Sequence, residues 1–115
     1  MTILTQAARA AEFVVSVDDH LSTDTVTLAA GPALPAGQLL AYDPTAKHFL
    51  PYPVAPVEGH DPLPAAAVLW APQPERSVDA PVTAVTRLAA VHGGLLTGLD
   101  AAAQAALMVH LIVVR

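Results

Sequence analysis

All eleven prolines of this 115-residue chain fall between Pro32 and Pro81. Proline has no amide donor and clashes with the preceding turn of a helix. In sheets it is confined to edges, first residues and bulges. The middle of the chain therefore cannot hold long helices, and only short strands between proline-bearing loops fit there. Residues 24–29 alternate, with Val26 and Leu28 on one face and Thr25 and Thr27 on the other, which is the period of a half-buried strand. Residues 38–42 and 47–50 flank Asp43-Pro44-Thr45-Ala46, a turn with proline at its second position, and read as a hairpin. Residues 65–70 form a short apolar strand. Residues 81–91 hold one or two more before Gly93-Gly94 breaks the pattern.

The proline-free ends read differently. Near the start, Glu12-Phe13-Val14-Val15-Ser16-Val17 is a short β-prone run followed by Asp18-Asp19. Residues 1–21 are expected to form an arm ahead of a domain spanning 22–115. Two readings of the arm stand: a frayed terminus, or an extended segment that adds a strand to a partner's sheet. Near the end, residues 101–108 are rich in strong helix formers, and Leu99, Ala103, Ala106, Leu107 and His110 share one face at helical spacing. Thr97-Gly98-Leu99-Asp100 fits a capping box, with Thr97 as N-cap and Asp100 near the positive helix end. Ile112-Val113-Val114-Arg115 reads as a last short strand. The sum is a mainly β (α+β) domain with one C-terminal helix and an extended N-terminal arm.

Composition narrows the function. Hydrophobic residues make up 54% and charged residues 13%, against a usual charged share of about 25%. So apolar a small domain suggests surface that is covered by a partner or by further copies. The formal net charge is −5, and the cations Arg9, Lys47, Arg76, Arg87 and Arg115 are scattered singly, so no nucleic-acid partner is expected. The apolar stretches are too short to span a bilayer, so no membrane partner is expected either. No basic region followed by a long apolar run opens the chain, and no signal peptide is expected.

Catalytic and cofactor chemistry finds little support. The chain has no cysteine, so thiolate metal sites and Cys nucleophiles are excluded. Its five histidines, at 20, 48, 60, 92 and 110, include no pair at local ligand spacing, so no metal site is expected. Serines occur only at 16, 22 and 77, none in a nucleophile elbow, and Gly93-Gly94 lacks the spacing and lysine of a phosphate loop. No catalytic residue, cofactor or enzymatic activity is assigned. Trp70, the single tryptophan, reads either as core packing or as an interface anchor.

The order of these segments resembles a known family. Its carriers are Glu12-Phe13-Val14-Val15-Ser16; then Thr25-Val26-Thr27-Leu28-Ala29-Ala30-Gly31 with Leu34-Pro35-Ala36-Gly37-Gln38-Leu39-Leu40; then Ala65-Ala66-Ala67-Val68-Leu69-Trp70. Last comes Leu96-Thr97-Gly98-Leu99-Asp100-Ala101-Ala102-Ala103-Gln104-Ala105-Ala106-Leu107 with the tail Ile112-Val113-Val114-Arg115. Over roughly residues 12–115 the chain resembles the lambda-type bacteriophage head decoration, or head-stabilising, proteins. The resemblance implies a β-clip-like fold, a homotrimer, and docking on the outside of the expanded head at threefold positions, with the major capsid protein as partner. It implies an arm that pairs with the shell, carried by Phe13, Val14, Val15 and Val17, and a trimer contact around Trp70. Relatives often have glycine where this chain has Leu88 and Leu111, so the helix is expected to end differently or to run one turn on. The alternatives are a trimeric β-domain that binds a small ligand, and a structural oligomer unrelated to phage.

Overall fold

The structure, a computed structural model, describes residues 11–17, 21–53 and 63–115. In chain order these form β1 (Val14–Val17), β2 (Thr23–Leu28), β3 (Leu39–Asp43), β4 (His48–Pro51), β5 (Ala65–Leu69), β6 (Ala80–Val85) and β7 (Ala89–Val91). A single 3-10 turn (Gly93–Leu95), α1 (Ala101–Val109) and β8 (Ile112–Val114) follow. Five strands close a barrel in the order β2-β4-β3-β5-β6. β2 and β6 pair antiparallel from Thr23↔Val85 to Leu28↔Ala80, and the β3–β4 hairpin runs from Leu40↔Pro51 to Asp43↔His48. The hairpin turn is the expected one. The Asp43 carboxylate accepts from the N–H groups of Thr45 (2.9 Å) and Ala46 (3.3 Å), and the Lys47 N–H returns to the Asp43 carbonyl (2.8 Å). Among the described strands, proline enters only at the end of β4 (Pro51) and at the second residue of β6 (Pro81), and the other described prolines lie in loops.

A second layer lies on the flank of the barrel. β1 pairs antiparallel with β7 through a bulge between Val14 and Ser16, and β7 pairs parallel with β8. α1 packs on β5 and β8. The layering produces two cores. Leu28, Leu34, Leu40, Ala67, Leu69, Val82 and Ala84 fill the barrel. Leu39, Val68 and Val85 point the other way and meet Phe13, Ala89, Val91, Ala103, Leu107 and Ile112. Successive strand residues face opposite sides, so β3, β5 and β6 are apolar on both faces at Leu39-Leu40, Val68-Leu69 and Ala84-Val85.

Within the segment expected as an arm, β1 is a sheet strand and Phe13 is 1% exposed in the second core. Burial of the Phe13 ring and the β7 ladder tie this segment to the domain; residues 1–10 and 18–20 lie outside the described residues. Thr97 is not the N-cap. Its N–H donates to the Gly37 carbonyl and its carbonyl accepts from Leu39, both at 3.0 Å, so its backbone belongs to the barrel edge. Asp100, in extended conformation, caps α1 by accepting from Ala103 N–H at 2.7 Å. The helix does not run on past its expected end: it stops at Val109, and Leu111 takes the left-handed conformation (φ 62°) that glycine would take more cheaply.

Candidate functional site

For a chain of this kind the functional sites are surfaces. Of the four residues expected to meet a partner through the N-terminal segment, Phe13 is enclosed, and Val14 and Val17 are half-buried against the second core. Val15 is 47% exposed on the outward side of β1, with Ser16 beside it. The bulge at this point turns the two residues outward together. The chain enters the domain at Ala11, whose N–H donates to the Trp70 carbonyl at 2.8 Å. Trp70 is half-buried and packs against the second core, so the core reading accounts for much of its ring.

A groove of about 360 Å³ opens at one end of the barrel, lined by Val26, Tyr42, Phe49 and Ala66 on its apolar side and by Asp24, Thr86, Arg87 and His110 on its polar side. Tyr42 and Phe49 stand opposite each other in the hairpin, ring centroids 5.0 Å apart and tilted by 52°. Sequence reasoning found the hairpin but not this pair. The turn at 43–46 was the available signal, because it fixes the register that aligns Tyr42 with Phe49.

Asp24, Thr86 and Arg87 on the polar side bond to one another. The Thr86 hydroxyl donates to one Asp24 carboxylate oxygen at 2.8 Å, and the Arg87 guanidinium pairs with the same oxygen while donating to the Leu21 carbonyl at 2.6 Å. The Thr86 hydrogen bond, then the Arg87 contact, holds the Asp24 carboxyl below its ordinary range. The arrangement is a clamp between β2 and the turn after β6. A similar clamp joins the hairpin to the loop before β6. Asp79 accepts from the Ala30 N–H at 3.1 Å and lies 3.2 Å from His48 Nδ1, and the backbone donor, then His48, lowers its pKa. At the other end of the barrel, the Tyr52 hydroxyl donates to Asp100, and burial, reinforced by that carboxylate, raises the tyrosine pKa. Among the described residues, no three His, Cys, Asp or Glu side chains converge as a metal site would require, and no helix is long and apolar enough to cross a membrane.

The comparisons with known proteins give one result. Neither the curated proteins nor the solved structures contain a match to the chain. A family profile described as bacteriophage lambda head decoration protein D matches residues 3–112, which is nearly the whole chain and takes in the barrel, β1, α1 and the first residue of β8. By that match the chain belongs to the family of the bacteriophage lambda head decoration protein D.

Proposed function

We propose that this protein binds the outer surface of the expanded phage head as a homotrimer at threefold positions and stabilises the shell against the pressure of packaged DNA. Membership of the family makes it a structural protein of the phage capsid. The finer statements rest on the resemblance of the ordered segments, and the observation that carries them is the extent of the match, 3–112. The major capsid protein is the partner. The outward side of β1, at Val15 and Ser16, and the residues leading into it form the contact; Phe13, Val14 and Val17 hold β1 to the domain from beneath.

The mechanism is adhesive. A copy seated across neighbouring shell subunits adds contacts that must break before the lattice opens. Buried apolar area contributes about 25 cal/mol per Å² in gross terms, much of it offset by ordering at the interface. Many equivalent sites on one shell make a modest energy per site large in sum, since one bound site raises the effective concentration of the next contact.

The test is co-sedimentation with shells that lack the protein, expanded and unexpanded side by side. Saturable binding to the expanded form alone supports the proposal, and binding to neither overturns it. Deleting residues 2–10 stops short of the Ala11 anchor and of Phe13, so the domain should stay folded while shell binding falls. Undiminished binding would move the contact elsewhere.

A further inference from the structure

The barrel is paired unevenly around β2. On one side β2 meets β6 along its whole length, from Thr23↔Val85 to Leu28↔Ala80. On the other side, among the described residues, it meets β4 at one pair, Leu28↔Phe49. The register decides which backbone groups that leaves over. The Thr86 N–H donates to the Ser22 carbonyl at 2.8 Å, so residues 22, 24, 26 and 28 turn their backbone groups toward β6. Residues 23, 25 and 27 turn theirs the other way, as does Ala29, whose N–H reaches the Phe49 carbonyl at 2.9 Å. Beyond that contact the hairpin leaves β2. His48 lies 3.2 Å from Asp79, which precedes Ala80, the partner of Leu28, so the hairpin is pinned at the Leu28 end alone.

Thr25 is the residue left open. It is exposed, and its N–H and carbonyl face the side of β2 that carries no strand there among the described residues. An unpaired strand edge is a template for one more strand. The groove at the same end of the barrel sets what such a strand would bring inward. Val26, the next residue of β2, lines it together with Tyr42 and Phe49. Its volume of about 360 Å³ is at the small end for ligand sites, enough for a side chain or two and not for a wide surface. Side chains alternate across a strand, so a strand laid beside Thr25 sends every second one toward the barrel mouth. The wall of Val26, Tyr42 and Phe49 receives an apolar one there, with Asp24 and Arg87 on the polar side.

Edge and groove together select the occupant. A small molecule fills the groove but makes no use of a strand's backbone edge. A helix face has no free backbone groups to offer. An extended peptide uses both. We propose that the open edge of β2 at Thr25, with the groove beside it, binds an extended peptide segment of another protein, added as a strand with one apolar side chain facing inward. β1 lies in the other sheet, so this site is separate from the shell contact proposed above and does not depend on it.

The experiment follows the amide shifts of the full-length protein by NMR as capped pentapeptides are added. The probe alternates threonine and valine around a central phenylalanine. Two further peptides carry a methyl on the nitrogen of the phenylalanine or of the residue after it, so that one of them blocks the donor facing β2 in either register. A fourth has serine for phenylalanine. The probe should bind with a Kd of about 0.1–1 mM, shift the amides of residues 24–27 and slow hydrogen exchange at Thr25. One N-methyl peptide and the serine peptide should each bind roughly fivefold more weakly or worse. Thr25→Pro removes an N–H that the β6 ladder does not use, and should abolish binding with the β6 pairing intact. If that variant fails to fold, the N-methyl peptides make the same test on the unaltered protein. Tyr42→Ser alters the groove wall and leaves the edge, so it should weaken the phenylalanine peptide and not the serine one. No shift at residues 24–27 up to about 5 mM probe overturns the proposal. So does equal binding by both N-methyl peptides and the probe, which would put a side chain in the groove without a strand at the edge.

Discussion

Gly37 and Gly98 have the same sign of φ as Leu88 and Leu111, yet the two pairs of turns are built on opposite terms. At Gly37 (φ 85°) a Cβ would lie 2.5 Å from the Leu95 carbonyl oxygen, and at Gly98 (φ 93°) 2.6 Å from that of Tyr52. Backbone meets backbone there, so conformation and space both demand glycine. The pair lies where residues 37–39 run beside Thr97, with the buried Gln38 amide donating to the carbonyls of Leu39 and Tyr52 at 3.1 Å. At Leu88 and Leu111 the conformation asks for glycine but the space around the side chain is open. The contrast teaches how to read a left-handed residue: it is a packing necessity where a Cβ has no room, and a demand of the chain path alone where the side chain is uncovered.

The sharpest way to break this contrast is Gly98→Ala. The methyl adds left-handed strain and a clash with a carbonyl that the buried Gln38 amide holds in place. A loss of about 3 kcal/mol is expected, read as a drop in the urea midpoint at unchanged slope. A loss under about 1 kcal/mol would mean that the seam relaxes easily and that the two kinds of turn are alike. Next in size is Ser22→Ala. It removes the buried hydroxyl that holds the Leu88 carbonyl and should cost about 1–2 kcal/mol. Hydrogen exchange at residues 86–89 should quicken while residues 97–99 stay protected.

Single glycine replacements run the other way. Leu111→Gly should stabilise the dilute monomer by about 1 kcal/mol through relief of the left-handed strain. Leu88→Gly should gain less, because more of the Leu88 side chain is covered. A destabilised Leu111→Gly monomer would show that the leucine packs within its own chain, and the contrast with Gly98 would lose its meaning.

The sequence made local features visible and hid those that depend on what lies across the fold. The hairpin and helix were legible because their signals are local: Asp43-Pro44 writes the turn, and an alanine-rich run writes α1. The fate of Phe13 was not, since its burial depends on β7, more than seventy positions along the chain, and a short β-prone run reads the same on an arm as in a sheet. The shortage of charge pointed to covered surface. Part of it has a second cause inside the chain: β3, β5 and β6 serve two cores, so Leu39-Leu40 and Val68-Leu69 need apolar side chains on both faces. The helix stop was misjudged for a related reason. Propensity forbids Leu111 a left-handed turn cheaply, but the β7–β8 pairing that follows fixes the chain direction and imposes it. The groove's aromatic pair followed from the hairpin register, whereas the Leu88 and Leu111 turns required the backbone angles themselves.

The smallest expected effect is a response to acid, and it separates the two regions by chemistry. The turn at Leu88 is held by Asp24, which takes a hydrogen bond from Thr86 and pairs with Arg87. Its folded-state pKa is lowered, so it contributes stability that is fully present above the unfolded value of about 3.9 and is lost as pH falls through the folded value. At Gly37 and Gly98 the close contacts are to backbone carbonyls, which do not titrate in this range. Lowering the pH from about 5 to about 3 should therefore raise hydrogen exchange at residues 86–89, after correction for its intrinsic pH dependence, more than at residues 37–39. Asp24→Asn should abolish the difference, since the amide keeps an acceptor for Thr86 but has no charge to lose. Equal acid sensitivity at both places in the wild type would mean that the clamp does not hold the Leu88 turn, and that the strain there is borne by the β7–β8 pairing alone.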